Sequence, residues 1–271
     1  MDSTPLATPE PFGSAQGKPD PRDKKKFYFA DTRQRRALVT LARSLFSFVM
    51  EMDVKGLEHF PREGPVVLAA NHVTNFDVFP MQFALPRPIF FMGKAELFKN
   101  PLMDLVLRNL SGFPVHRGEK DEWAMRHAAK ILAHGQTLGM FPEGTRSKGR
   151  GLKVAKTGSA RLAIEAHCPI LPMAIIGSDQ FFKRFPHRTH VQITLLPPLL
   201  HKPNENPLAL TDRLMFTLAQ ALPDDMRGVY AEVPQGFRIK GYEFGRGTQY
   251  LGNFPASRFI LIQELERRRF R

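Results

Sequence analysis

"GPVVLAANHVTNFDVF", residues 64–79, is the stretch on which the reading of the whole chain turns. Its first half, residues 64–70, is a short apolar run behind a Gly-Pro turn signal, the pattern of a strand buried on both faces. Its second half breaks that run and presents His72 and Asp77, five residues apart. On a regular helix, side chains at that spacing diverge by about 140°, so the two meet only if the chain turns between them. The turn would leave Asp77 capping a following helix, with Pro80 in its first turn, where proline is tolerated. Two uses of the pair then stand open. In one, the imidazole takes a proton from a nucleophile while the carboxylate fixes its tautomer and balances its charge. In the other, the pair is a helix cap or a hydrogen bond of the core.

Outward from this stretch, apolar strands alternate with amphipathic helices. Residues 88–93, 112–117, 137–141, 169–176 and 190–196 read as strands; residues 96–110, 121–135 and 157–167 read as helices. Asp121 stands at an N-cap and Gly135 just past the end of its helix. Leu210, Leu214, Leu218 and Leu222 recur every four residues and mark one face of another helix. This alternation predicts an α/β fold: a single domain with a largely parallel central sheet flanked by helices. In such folds ligands lie beyond the carboxyl ends of the strands, which is where His72 falls. A second stretch, "MFPEGTRSKGRG" at residues 140–151, also follows a strand. Pro142 and Gly144 make a turn, and Glu143 and Arg146 project from one loop. Arg146 suits a bidentate grip on phosphate, and Glu143 suits hydrogen bonds from hydroxyls. The following helix would add free N–H groups for an anion. The plainer reading is a solvated loop with a local ion pair.

Composition narrows the partners. The chain has 271 residues, enough for one substantial core, and a net charge of +13. So basic a protein favours an anionic partner: nucleic acid, an anionic membrane surface or a phosphorylated substrate. The basic residues are dispersed and no aromatic-basic RNA-binding signature occurs, so no nucleic acid is expected. The single cysteine, Cys168, excludes an internal disulfide and suits a reducing cytosol. "HRTH", residues 187–190, offers no third metal ligand, and neither HExxH nor paired CxxC occurs, so no metal is expected. The 23 Phe against 4 Tyr fit either acyl-chain contacts or a Phe-rich core.

Residues 1–26 read as a disordered, Pro-rich basic tail without the apolar region of a signal peptide. Residues 27–228 form the domain. Residues 229–271 are a C-terminal extension of unassigned role, ending in a basic helix. No run reaches the ~18 apolar residues of a membrane span. "ALVTLARSLFSFVM", residues 37–50, follows "RQRR" and "KKK". It reads as an amphipathic helix lying on an anionic membrane, or as a helix packed on the core.

The two loop motifs together resemble a known family. "NHVTNFD" is similar to the Asn-His-x4-Asp motif, and "FPEGTRS" to the phosphate-binding block, of the glycerolipid acyltransferase superfamily, in particular its 1-acylglycerol-3-phosphate (lysophosphatidate) acyltransferases. "GKAELF" with "GFPVHRG" resembles the block between them, departing from it with His116 before Arg117, and "PILPMAI" resembles the last apolar block. The resemblance covers residues 50–200. It implies that His72 is a general base and that Asp77 orients it. It implies that Glu143, Gly144, Thr145 and Arg146 bind a phosphorylated glycerolipid acceptor, with Arg146 on the phosphate and Lys94 and Arg117 as further phosphate ligands. The acyl group would pass directly from acyl-CoA or acyl carrier protein to the hydroxyl of 1-acylglycerol-3-phosphate. The thioester is then a co-substrate, and no cofactor is expected. Acylation of glycerol-3-phosphate or another lysophospholipid is the alternative within the family. A non-catalytic lipid- or nucleic-acid-binding protein is the alternative outside it. The expected location is cytoplasmic, peripheral on the inner face of the membrane.

Overall fold

The run at residues 64–70 lies at the middle of a sheet. In the computed structural model, which describes residues 20–232 apart from 28, 30–31, 119–120, 182 and 184–186, Val66–Ala70 is wholly buried. Seven strands form that sheet: β1 (Met50–Lys55), β2 (Val66–Ala70), β3 (Ile89–Lys94), β4 (Gly112–Val115), β5 (Thr137–Met140), β6 (Ile170–Ile176) and β7 (Thr189–Leu195). Their order is β1-β7-β6-β2-β5-β3-β4. Every neighbouring pair is parallel except β6 with β7, so β1 and β7 run against the other five strands.

The alternation of β2 divides the core. Val67 and Ala69 face one cluster, packed with Trp123, Ile131, Leu162, Leu210, Leu214 and Leu218. These come from α4 (Glu122–Ala133), α5 (Gly158–Glu165) and α6 (Pro207–Gln220). Val66, Leu68 and Ala70 face the other cluster with Met81 and Phe83 of α2 (Val78–Ala84), against which Val39, Ala42 and Phe46 of α1 (Arg33–Ser47) pack. A strand with helices on both faces has no polar side to present, which is why its sequence is continuously apolar. Where α2 crosses β5 the fit is tight: a Cβ at Gly139 would lie 2.8 Å from Ile89 Cγ2 and 2.9 Å from Met81 Sδ.

Several sequence expectations change in detail. The helix expected over 96–110 is a 3-10 turn, Ala95–Lys99, followed by α3 (Pro101–Asn109). Asn100 caps α3 by accepting from Met103 N, and Pro101 cannot continue a preceding helix. The helix expected over 37–50 starts at Arg33, capped by Thr32, and ends at Ser47, because residue 50 already begins β1. The tail expected over 1–26 docks onto the domain where it is described. Arg22 bridges Asp20 at 2.7 Å and Asp121 at 2.6 Å and lies 4.4 Å above the Trp123 ring, whose Nε1 donates to Asp23 at 2.7 Å. Residues 1–19 of that tail, and the C-terminal extension from residue 233 with its expected basic helix, lie outside the described residues. Among the described residues no helix is long and apolar enough to cross a membrane.

Candidate active site

The register of the sheet brings the two motifs together. Ala69 of β2 is paired with Met140 of β5, and three residues past each pairing partner stand His72 and Glu143. The two loops therefore leave the sheet side by side, at its carboxyl edge. They interlock through the backbone of His72: its N–H donates to Glu143 Oε1 at 2.8 Å, and its carbonyl accepts from Ser147 N at 2.7 Å. The other Glu143 oxygen accepts from Lys153 N at 3.0 Å. Asn71 ties the same loop to β6, with Nδ2 donating to Ile175 O and Oδ1 accepting from Ile175 N, both at 2.8 Å. An asparagine side chain here takes the place of the next rung of the ladder between β2 and β6.

His72 and Asp77 meet as the turn requires. His72 Nδ1 lies 2.7 Å from Asp77 Oδ2. That oxygen also accepts from Val73 N at 2.7 Å and Thr74 N at 2.9 Å. Oδ2 accepts those two N–H groups and so faces the ring as an acceptor, which puts the imidazole hydrogen on Nδ1 and leaves Nε2 as the basic nitrogen. Nε2 has no hydrogen-bond partner among the described residues. The expected role of Asp77 as a cap of α2 does not hold: it occupies the N-cap position but makes no capping hydrogen bond. Its side chain turns back to serve the loop before it, where three N–H groups converge on it. Phe141, two residues before Glu143, stacks on the His72 ring with centroids 4.0 Å apart and planes inclined by 15°.

Glu143 has a structural task beside its expected one. It is buried, and each of its oxygens accepts one backbone N–H, so it holds loops together. Burial pushes its carboxyl up to about 7, against the pull of the Lys153 and His72 N–H groups and the Lys153 charge; the neighbouring Asp77 adds to the rise. Gly144 follows with φ of +65°, which a side chain would oppose. Beyond it Thr145 is exposed and Arg146 half-buried. The Arg146 guanidinium has no partner among the described residues, and the Lys153 ammonium braces its carbonyl at 2.9 Å.

The remaining cations line the same edge at increasing distance from the base. Lys94 ends β3, exposed, with Glu96 at 3.4 Å. Arg117 follows β4, the last strand of the sheet, and is exposed. With neighbouring strands about 4.8 Å apart, Lys94 starts about 10 Å and Arg117 about 14 Å laterally from the strand of His72. The structure thus groups His72, Asp77, Glu143 and Arg146, sets Lys94 alongside, and leaves Arg117 at the rim.

Sequence reading missed two participants. Phe141 carried a signal, an aromatic residue directly before the Pro-Glu-Gly turn. Ser178 carried none: it lies 101 residues from Asp77 in the chain, yet its hydroxyl donates to Asp77 Oδ1 at 2.5 Å.

The chain is similar to known proteins over the segment that carries both loops. A family model described as Acyltransferase matches residues 51–176. The chain is 31% identical over 137 residues to the 1-acyl-sn-glycerol-3-phosphate acyltransferase of Bacillus subtilis, a match covering 49% of this chain and 68% of that protein. It is 28% identical over 141 residues to the protein of the same name from Borreliella burgdorferi, covering 51% of this chain and 56% of that protein. To the 1-acyl-sn-glycerol-3-phosphate acyltransferase alpha of Ovis aries it is 27% identical over 195 residues, 68% of each chain. The chain therefore spans 56–68% of the length of these relatives. Among solved structures, the 1-acyl-sn-glycerophosphate acyltransferase PlsC from Thermotoga maritima shares the fold, with a TM-score of 0.57 over 69% of this chain and 78% of that one at 22% identity. With the matched segment running from β1 to the last residue of β6 and enclosing both loops of the site, the chain belongs to the glycerolipid acyltransferase family.

Proposed function

We propose that the protein transfers a fatty acyl group from an acyl thioester to the free hydroxyl of 1-acylglycerol-3-phosphate, making phosphatidate. The observation that carries this reading is the interlock of the His72–Asp77 pair with the loop that presents Arg146. In the reaction, His72 Nε2 takes the hydroxyl proton as the oxygen attacks the thioester carbonyl. Asp77 stabilises the imidazolium that forms. When the tetrahedral intermediate collapses, the C–S bond breaks, and the departing thiolate recovers the proton from the imidazolium to leave as the free thiol of CoA or acyl carrier protein. No acyl-enzyme is required. Arg146, with its guanidinium unengaged, supplies the bidentate donor set for the acceptor phosphate, and Lys94 adds charge from the next strand.

The membrane surface is the proposed second partner. α1 packs its Val39, Ala42 and Phe46 side on the core while Leu41, Leu45 and Phe48, spaced four and three apart, point outward; Leu45 is 60% and Phe48 74% exposed. Core packing takes one side of this helix and leaves the other open to the membrane reading. α3 lies beside α1 and exposes Leu102, Met103 and Leu105. An apolar face of this kind on a protein of charge +13 suits a peripheral position on an anionic leaflet, and the proposed location is the cytoplasmic side of the membrane.

The deciding experiment measures release of free thiol from acyl-CoA, and in parallel from acyl carrier protein, with lysophosphatidate, glycerol-3-phosphate or a neutral lysolipid as acceptor. Fastest release with lysophosphatidate, lost in His72→Ala, is the expected result. Fastest release with glycerol-3-phosphate reassigns the acceptor. No release with any acceptor from either donor returns the protein to a lipid-binding role. Flotation with phosphatidylglycerol-containing vesicles tests the membrane face: Leu45→Glu/Phe48→Glu should weaken binding about 10-fold or more, and unchanged binding removes this face from the proposal.

A further inference from the structure

We propose that Ser178 is a positioning residue of the acyl-transfer reaction, acting on His72 through Asp77. The inference rests on the reading of His72 as the base. Asp77 is 0% exposed, and buried polar atoms need hydrogen-bond partners in place of the solvent they lose. Oδ2 is filled by His72 Nδ1, Val73 N and Thr74 N. Oδ1 has hydroxyls alone: Ser178 Oγ at 2.5 Å and Thr74 Oγ1 at 3.3 Å. Ser178 is therefore the main donor to the oxygen facing away from the ring. A carboxylate held on one side only can rotate about its terminal torsion and swing Oδ2 off the Nδ1 axis. Donors on both sides fix it, and with it the plane of the imidazole.

The fold is arranged to deliver this hydroxyl. Ser178 is 1% exposed and opens the 3-10 turn Ser178–Gln180 directly after β6. The chain enters that turn through Gly177 at φ +90°, where a Cβ would lie 2.4 Å from His190 O. A glycine is thus required to bring the serine around. Three residues upstream, the Asn71–Ile175 hydrogen bonds pin the end of β6 to the end of β2. The distance from Ser178 to the His72 loop is thereby set by paired strands rather than by a free loop. Ser178 also lies beyond residue 176, where the family match ends, so the match itself assigns it no role.

The test compares Ser178→Ala, Ser178→Cys and Ser178→Thr in the full chain, using whichever donor and acceptor the wild type turns over fastest. Cysteine is nearly isosteric with serine but a poor donor, and it keeps the turn packed should alanine not fold. Threonine keeps the hydroxyl. Loss of a hydrogen bond to a charged group corresponds to about a 10-fold fall in rate. The expected result is kcat about 10-fold lower in the alanine and cysteine variants, acceptor KM within twofold of wild type, and recovery in the threonine variant. A cysteine variant with kcat within twofold of wild type overturns the proposal, as does a folded threonine variant no faster than cysteine. A parallel His72→Ala control separates the two readings. If that variant stays active, the base assignment fails and this inference with it; if it is inactive while the cysteine variant is not, only Ser178 falls.

Discussion

Around the ends of β2, β5 and β6 a set of polar groups is buried and bonded to one another or to backbone, whereas the cations on the loops after β5, β3 and β4 are half-buried or exposed and weakly held. His72, Asp77, Glu143 and Ser178 are all under one-tenth exposed, and each is held by the others or by backbone. Arg146 and Arg117 have no side-chain partners among the described residues, and Lys94 has only the weakly held Glu96. On the proposed reaction, the contrast follows from what each half must do. The proton-transfer half works only if its geometry is fixed before substrate arrives. The anion-binding half must leave its donors unfilled so that the ligand fills them.

Substitutions in the two halves should therefore fail in different ways. The largest effect is expected at His72. His72→Ala should lower kcat by ~10²–10⁴-fold, the range of general base catalysis, with acceptor KM and melting temperature little changed. Steady-state kinetics alongside a thermal melt checks this, and a kcat within twofold of wild type would detach the base from the buried half.

Glu143 comes next and shows a different signature, because it clamps backbone. Glu143→Gln leaves an amide whose oxygen satisfies one N–H while its NH2 group confronts the other. An unsatisfied buried donor costs ~1–3 kcal/mol, a drop of several °C in melting temperature, with kcat falling alongside as the His72 loop loosens. The two proteins should also differ in pH dependence. The folded-state value of about 7 stands above the ordinary 4.5, so between these values the native state holds a proton that the unfolded chain has released. The stability of wild type relative to Glu143→Gln should fall as pH rises through that window, by up to ~3 kcal/mol, and then level off. Denaturant melts from pH 4.5 to 8 measure it. A difference independent of pH would mean that the two backbone N–H groups offset burial.

Arg146 belongs to the open half. Arg146→Ala should raise acceptor KM about 10-fold or more, the worth of a charged hydrogen-bond pair, while kcat changes less. An unchanged KM would make Arg146 a structural residue, like Glu143, and erase the contrast on which the comparison rests.

How much of this was legible in the sequence follows the same division. The buried strands were readable because a two-sided strand has to be apolar, and the turn from His72 to Asp77 because five residues of helix keep them apart. β1, "MEMDVK", was not. It is an edge strand with a mixed burial pattern, and no periodicity separates it from the helix before it. The break at Asn100 was overlooked although Asn-Pro announces it. The motif residues around 143–146 were legible as a group but not in their separate tasks. The clamping task of Glu143 shows only in the structure, where its two oxygens accept from residues 71 and ten positions away. Ser178 was invisible for a plainer reason: the partner of a buried carboxylate is chosen by strand order, and β6 beside β2 is a fact of the sheet, not of local pattern.

The smallest effect is expected at Arg117, and it gives the comparison its sharpest edge. Arg117 shares its motif with Lys94, and resemblance assigns both to the phosphate. The sheet separates them: β3 stands between β5 and β4, so Arg117 starts one strand further out than Lys94, about 14 Å laterally from the strand of His72. A phosphate gripped by Arg146 while the acceptor hydroxyl meets His72 lies on the near side of that span. Arg117→Ala should then change acceptor KM less than threefold, the ordinary worth of an exposed charge, and the change should fade as salt is raised. Kinetics at low and high ionic strength separates the cases. A KM increase equal to that of Arg146→Ala and resistant to salt would mean that the acceptor phosphate sits over β3 and β4. The open half of the site would then be wider than the motif loop alone, and Arg146 would share its task with the rim.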